Sequence, residues 1–149
     1  MDHIVYVDAK QGELDNLLCG AARMLARGAT GRKLPYGRVQ VSDRLFFVQN
    51  DGTGLVQAWA GVTSVRNSPA LTPEESRQWI EEYQSLLHLS PKQRQRWSGK
   101  RYLVLIGIGP VTSLPPFAFD RSAYGNMDDW LPVGDIASVQ IDTRASTAE

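Results

Sequence analysis

The residues best suited to chemistry lie in one short basic segment, Gly31-Arg32-Lys33-Leu34-Pro35-Tyr36-Gly37-Arg38. Its arginines can form bidentate hydrogen bonds with phosphate, its lysine supplies a point charge, and its tyrosine can stack on a base. An apolar run follows directly, so a predicted strand would anchor these side chains. The segment indicates anion recognition, and the same composition also suits a solvated connector.

A second basic segment runs from residue 92 to residue 101 and contains no acidic residue. One aromatic residue, Trp97, stands among its cations, an arrangement typical of nucleic-acid-binding surfaces, and we predict that Trp97 is exposed. The whole chain has a formal net charge of zero, which argues against a protein that coats nucleic acid by bulk charge. Two basic segments on a neutral chain predict either one convergent patch or two ordinary solvated faces.

Other kinds of site find little support. The two histidines, His3 and His88, and the single cysteine, Cys19, lack metal-ligand spacing, so we expect no metal site and no cofactor. No Gly-x-Ser-x-Gly nucleophile elbow occurs, and the glycines at 107 and 109 precede a proline instead of opening a helix, as a phosphate loop would.

The composition predicts one soluble domain. The chain has 149 residues, of which 42% are hydrophobic and 21% are charged, values typical of a single globular domain. The first residues lack the basic and apolar regions of a signal peptide, and the most apolar stretch is too short to cross a bilayer. We therefore expect a cytoplasmic protein that has no membrane partner.

Hydrophobic periodicity and capping signals predict strands at both ends with helices between them. A helix over 13–27 would place Cys19 on its buried apolar face. The sequences Thr72-Pro73-Glu74-Glu75 and Ser90-Pro91-Lys92-Gln93 each begin a helix, because a hydroxyl cap, a proline and a residue that completes a capping box follow in order. The remaining predictions are strands over 4–8, 39–49, 55–65, 101–111 and 136–141, an extended segment over 112–119, and an irregular loop over 120–133.

The basic segment resembles the signature of the ASCH family of PUA-like barrels, Gly-x-Lys-x-x-Glu-x-Arg at the start of a barrel strand. Gly31, Lys33 and Arg38 match its glycine, lysine and arginine, and Ser42-Asp43 resembles the Gly-Asp pair that follows. Residues 102–130 are more similar to EVE-type barrels. The resemblance implies an α+β fold, a PUA-like small mixed β-barrel with inserted helices, in one ASCH-type domain over 1–143 with a frayed tail over 144–149.

Tyr36 departs from the family pattern, which has glutamate here, or threonine in members that hydrolyse acylated cytidine. A tyrosine cannot replace a carboxylate as a base at neutral pH, whereas an aromatic ring suits stacking on a base. Lys33 would be catalytic only in an enzyme whose dry pocket lowers the pKa of its amine.

The resemblance implies a cleft that accepts a nucleotide or a flipped base. We predict a domain that binds RNA, single-stranded nucleic acid or a nucleotide, including a modified base. Two other functions stay open: a small nucleotide or nucleoside hydrolase, either an amidohydrolase or a ribonuclease, that uses Lys33, and a protein-interaction domain. The predicted binding residues are Arg32, Lys33, Tyr36, Arg38, Arg96, Trp97 and Arg101, and the pocket aromatics are Trp59, Tyr124 and Trp130.

Overall fold

Seven strands form one mixed sheet against which three helices and a 3₁₀ turn pack, in a computed structural model that describes residues 1–125 and 127–141. The predicted tail lies outside the described residues. In chain order the elements are β1 (Asp2–Val7), α1 (Glu13–Leu18), β2 (Met24–Ala29), β3 (Arg44–Gln49), β4 (Leu55–Asn67), α2 (Pro73–Leu87), α3 (Pro91–Trp97), β5 (Tyr102–Ile108), β6 (Thr112–Ala118), β7 (Trp130–Gly134) and the 3₁₀ turn Ile136–Ser138.

The sheet has the strand order β2-β5-β4-β3-β1-β7, and β6 pairs with β4. The long strand β4 joins the two halves, because its first part pairs with β3 and β6 and its last part pairs with β5. Strands β1 and β3 are parallel, and the other pairs are antiparallel. The predicted α+β architecture, a mixed sheet with inserted helices, is confirmed, but the end strands β2 and β7 do not pair within the described residues, so the sheet is open and does not close into the predicted barrel.

Three buried clusters occupy the two faces of the sheet. Alternation along β5 divides two of them: Val104 and Ile106 join a cluster that α1 covers, whereas Leu103 and Leu105 face α2 and α3. A third cluster lies between β1, β3, β4 and β7 and includes Ile136 of the 3₁₀ turn. Helix α1 on one face and helices α2 and α3 on the other therefore leave β5 buried on both sides.

The predicted starts of helices α2 and α3 are confirmed. Both α2 and α3 begin with the expected capping box, in which Thr72 and Ser90 accept a hydrogen bond from a backbone N–H three residues later. The hairpin of β3 and β4 is also confirmed. The two prolines of β6 lie where its pairing with β4 is irregular, since proline lacks the N–H that a regular ladder needs.

No helix in the described part of the chain is long and apolar enough to span a membrane.

The predicted helix over 13–27 is wrong in its second half. Helix α1 ends at Leu18, a turn at Gly20 follows with φ at +80°, and the next residues form β2. Strand β2 pairs with β5 along its whole length, a non-local interaction that outweighs a helical pattern of apolar residues. Cys19 consequently lies on the exposed turn and is not buried as predicted.

Two strand boundaries also differ from the prediction. Residues 39–43 form a turn in which Ser42 has a φ of 77°, and β3 begins only at Arg44. The last strand is Trp130–Gly134, inside the predicted loop, because Asp135 accepts a hydrogen bond from the N–H of Ala137 and caps a 3₁₀ turn where the strand was expected.

A buried chain of hydrogen bonds joins β1 to β7 and to the turn before β3. The indole Nε1 of Trp130 donates to Nδ1 of His3 at 3.1 Å, and Nε2 of His3 lies 2.9 Å from Oδ2 of Asp43. Because Nδ1 must accept, the proton sits on Nε2 and the ring is neutral. This arrangement holds the imidazole, which has no exposed surface, in one tautomer.

The pKa values agree with that assignment. Burial lowers the pKa of His3 below its ordinary 6.5 and outweighs the Asp43 carboxylate, which raises it. Burial raises the pKa of Asp43, but the hydrogen bonds that its carboxylate accepts, among them those from His3 and from the N–H of Gln40, together lower the pKa by a larger amount. The net shift of the Asp43 pKa is therefore downward. The fold thus favours a neutral imidazole beside an ionised carboxylate.

We predict that the free energy of unfolding falls as the pH drops below 6.5, since the unfolded chain then protonates His3 before the folded chain does. The variant His3→Gln keeps a donor for Asp43 and an acceptor for Trp130 but cannot titrate, so it should lose this part of the pH dependence. Urea unfolding at a series of pH values measures the slope. His88→Gln, at an exposed histidine, is the control, and a His3→Gln slope equal to that of the unaltered protein would contradict the prediction.

Candidate functional site

A concave site lies between the loop after β2, helix α3, strand β1 and the loop that leads into β7. It consists of two adjoining cavities, of about 360 and 280 Å³, which share Arg27, Arg96, Trp97 and Asp129 in their linings. We call this pair of cavities the Trp97 cleft. Volumes of this size can hold a nucleobase or a small nucleotide.

Both basic segments of the sequence contribute to the smaller cavity. Lys33 comes from the loop after β2, and Lys100 comes from the connection between α3 and β5. The pairing of Ala29 with Tyr102 brings the ends of β2 and β5 together and so places the two segments side by side. Each basic segment therefore contributes one lysine to the same cavity, which is the convergent one of the two arrangements that the sequence left open.

The loop that carries Lys33 is anchored at several points. Pro35 is buried, the hydroxyl of Tyr36 donates to the carbonyl of Ser68, and the N–H of Gly37 donates to Oδ1 of Asn67 at 2.9 Å. Gly37 has a φ of 70°, a conformation that glycine adopts without strain. These contacts hold the loop against the end of β4, so Lys33 is presented from a fixed support.

Trp97 forms the floor of the cleft, contrary to the prediction that it is exposed. Only 6% of its surface is accessible, because α3 packs it against β2 and the buried face of the sheet. The guanidinium of Arg96 lies 4.4 Å from the centroid of its ring, and that of Arg27 lies 5.7 Å from it. The surface offered to a ligand is therefore the exposed guanidinium of Arg96, supported by an indole.

Beneath the cleft, Arg27 and Glu13 form a buried ion pair that the sequence did not reveal. Nη2 of Arg27 lies 3.3 Å from Oε1 of Glu13 and also donates to the carbonyl of Tyr6 at 3.0 Å. Oε1 of Glu13 accepts the N–H of Asp8 at 3.0 Å, and its Oε2 accepts Nε2 of Gln93 at 3.4 Å. This network ties α1, β1, β2 and α3 to one another. The sequence signal for this ion pair is Arg27 within the apolar run of residues 24–29. It indicates a buried charge only if these residues are assigned to a strand.

The opposite rim of the cleft comes from the loop before β7. Nη1 of Arg121 donates to the hydroxyl of Tyr6 at 2.8 Å, and its guanidinium lies 5.4 Å from the centre of the tyrosine ring. Nη2 of the same arginine donates to the carbonyl of Asp128 at 3.3 Å. Arg121 therefore fixes this loop to β1 and brings the carboxylates of Asp128 and Asp129 to the larger cavity.

The two cavities differ in charge. The larger one carries acidic and basic side chains in similar number, whereas the smaller one is lined by Arg27, Lys33, Arg96 and Lys100 against Asp129 alone. Within residues 1–125 and 127–141, neither the two lysines nor Arg96 form a salt bridge with a carboxylate. Cations without a counter-ion in a concave site favour binding of an anion.

Four of the predicted site residues lie outside the cleft. Arg32, Tyr36 and Arg101 gather around Tyr102 on the other side of the basic loop, where the rings of Tyr36 and Tyr102 meet edge to face at 5.5 Å. Arg38 is exposed and lines neither cavity of the cleft. Tyr36 is half-buried, and its hydroxyl is already bonded to Ser68.

The three predicted pocket aromatics are also elsewhere. Trp59 stacks on Phe46 and lines an apolar cavity of about 550 Å³ beside β6. Tyr124 is half-buried and donates to the carbonyl of Pro132 at 3.3 Å. Trp130 is 1% exposed and belongs to the core. The structure therefore brings together Lys33, Arg96 and Trp97 from the predicted set and adds Lys100, Arg27 and Arg121.

Solved structures from Zymomonas mobilis share the fold of this chain. The crystal structure of ASCH from that organism has a TM-score of 0.64 and 10% sequence identity, covering 98% of this chain and 91% of that chain. Two of its variants, one with a tyrosine changed to phenylalanine and one with a serine changed to alanine, give the same values at 99% coverage of this chain and 94% and 92% of theirs.

No family model matches the sequence, and no curated protein matches it. The fold is therefore defined through structure: the chain shares the fold of the Zymomonas mobilis ASCH structure, as the resemblance of the basic segment implied. At 10% identity this likeness shows the fold alone.

We predict that Glu13→Gln lowers the free energy of unfolding by about 3 kcal/mol, because it leaves the buried guanidinium of Arg27 without its counter-charge. Glu81→Gln is the matched control. It removes the partner of Arg94 in an exposed pair and should cost less than about 1 kcal/mol. Chemical denaturation of the unaltered protein and the two variants measures the free energies of unfolding. If Glu13→Gln and Glu81→Gln lower this free energy equally, the prediction that the buried pair contributes more to stability is contradicted.

Proposed function

We propose that this protein binds RNA or another single-stranded nucleic acid, with one base or modified base held in the Trp97 cleft. The observation that carries the proposal is the convergence of Lys33, Lys100 and Arg96 on one cavity floored by Trp97. Two basic segments that are separated by about sixty residues in the sequence contribute to this cavity. Their meeting on a chain of zero net charge favours a local binding site over general attraction to polyanions.

The side chains suggest how the ligand would be held. The two lysines would contact a phosphate as point charges, a contact that positions the strand without reading its sequence. A base would stack on the guanidinium plane of Arg96, which is supported from below by the Trp97 ring. The fold adds support, since the resemblance to PUA-like proteins implies a cleft that receives a nucleotide or flipped base.

The proposal predicts binding that falls with salt concentration and depends on the cleft. Lys33→Ala and Arg96→Ala should each weaken binding of short single-stranded RNA or DNA, and each lost phosphate contact should reduce the slope of log affinity against log salt by about 0.7. Fluorescence anisotropy across a salt series measures both quantities. Arg77→Ala is the control, because Arg77 is an exposed arginine on α2 that lines neither cavity.

Two results would overturn the proposal. One is the absence of binding to either polymer at low salt. The other is an Arg77→Ala effect as large as that of Lys33→Ala, which would indicate bulk charge without a defined site.

A small hydrolase that uses Lys33 is the second candidate, and one observation favours it: the exposed carboxylate of Asp129 lines the same cavity as Lys33. An amine and a carboxylate could share the acid and base roles in cleaving a phosphodiester or an amide. Lys33 makes no hydrogen bond to a carboxylate in the described part of the chain, so we rank this function below binding.

Incubation with RNA and with an acylated cytidine, followed by mass spectrometry of the products, tests the hydrolase. Product formation that both Lys33→Ala and Asp129→Asn abolish would establish it. Product formation that neither variant changes would show that Lys33 and Asp129 are not catalytic. If neither substrate yields a product, the hydrolase is contradicted and binding remains as the proposed function.

A further inference from the structure

Two arginines share one tyrosine on the outer side of the basic loop. The guanidinium carbon of Arg32 lies 5.5 Å from the ring centroid of Tyr102 and 5.8 Å from that of Tyr36. The guanidinium carbon of Arg101 lies 5.5 Å from the same Tyr102 ring. These four residues, Arg32, Tyr36, Arg101 and Tyr102, are called the Tyr102 cluster.

The cluster places two positive charges beside one ring, each 5.5 Å from the centroid of Tyr102. Arg32 and Arg101 are both exposed, and neither forms a salt bridge in residues 1–125 and 127–141. Like charges beside one ring repel each other, and the attraction of each cation to the aromatic faces offsets this only in part. A phosphate between them would accept hydrogen bonds from both guanidinium groups, which match its geometry.

The position of the cluster relates it to the Trp97 cleft. Arg32 precedes Lys33 directly, and Arg101 follows Lys100 directly, so each arginine has a lysine of the cleft as its neighbour in the chain. Adjacent Cα atoms are about 3.8 Å apart. Two neighbouring segments thus present one pair of cations to the cleft and the next pair to the tyrosines.

We propose that the Tyr102 cluster is a second phosphate subsite, so that the ligand is a single-stranded oligonucleotide of at least two nucleotides and not a free mononucleotide. The inference rests on the proposed function of the cleft and extends it. One nucleotide occupies the cleft, and the strand leaves across the basic loop, where Arg32 and Arg101 bind the phosphate of a neighbouring nucleotide. The rings hold the two guanidinium planes in place.

The assignment also accounts for Tyr36 without stacking. Its ring edge meets Tyr102, and its hydroxyl is bonded to Ser68, so it stiffens the support of Arg32 and leaves base contact to the cleft. If the arginines only shielded the tyrosines from water, their removal would change stability and leave ligand length without effect.

The test compares a mononucleotide, a dinucleotide and a hexanucleotide, in ribo and deoxyribo forms, by isothermal titration with the full chain. The longer ligands should bind the unaltered protein more tightly than the mononucleotide does. Arg32→Ala and Arg101→Ala should each weaken hexanucleotide binding about tenfold and leave mononucleotide binding unchanged. Lys33→Ala should weaken every ligand, Arg77→Ala none, and the ribo and deoxyribo series identify which polymer is preferred.

Arg32→Lys and Arg101→Lys keep the charge and guard against a folding defect, which thermal melting also monitors. They should bind the hexanucleotide with intermediate affinity. A length-dependent gain that persists in both alanine variants would overturn the subsite and leave the cleft, still sensitive to Lys33→Ala, in place. A mononucleotide that binds as tightly as the hexanucleotide would do the same. Failure of every ligand to bind would overturn the cleft proposal and the subsite with it.

Discussion

The ion pair between Arg27 and Glu13 sets the positions of the elements that surround the cleft. A buried guanidinium requires a counter-charge and hydrogen-bond acceptors, and here they come from α1 and from the carbonyl of Tyr6 on β1. Gln93 of α3 joins the same carboxylate, so α3 cannot shift relative to β2 without breaking a buried contact. Trp97 lies over Arg27 for this reason, and the floor of the cleft follows from the placement of one buried cation.

Above that floor, Lys33, Arg96 and Lys100 form no salt bridge with a carboxylate of residues 1–125 and 127–141, whereas several acidic side chains elsewhere are paired. Asp2 is bonded to Arg44, Asp43 is bonded to His3 and to the N-terminal amine, and Glu75 caps α2. A chain of zero net charge can therefore carry a locally positive cavity, because several of its carboxylates are paired within the fold and, among the described residues, Asp129 alone of the acidic side chains lines the cavity beside Lys33 and Lys100. The mixed charge of the larger cavity confines the strongest attraction for an anion to the part of the cleft beside Lys33 and Lys100.

The features that depend on neighbouring residues were predictable from the sequence, and those that depend on distant pairing were not. Both capping boxes and the β3–β4 hairpin are local, and so was the signature around Lys33. The strand β2 was mistaken for a helix because Met24 and Leu25 fit both periods, and only pairing with β5 decides between them. The burial of Trp97 could not be inferred from its basic neighbours, since packing of α3 on the sheet determines it. The ion pair of Glu13 with Arg27 could not be predicted either, because the sequence assigned both residues to one helix and the pair forms between α1 and β2.

The most direct test of the cleft uses the indole N–H signals of the four tryptophans in a two-dimensional NMR titration with a short single-stranded RNA. Each tryptophan reports on a different place: Trp97 on the floor of the cleft, Trp59 on the apolar cavity beside β6, Trp79 on helix α2, and Trp130 on the core. The account predicts a saturable shift of the Trp97 signal that is lost in Lys33→Ala, with Trp59 and Trp130 unchanged. A shift confined to Trp59, or a Trp97 signal that stays fixed while RNA binds, would place the ligand elsewhere and contradict the account.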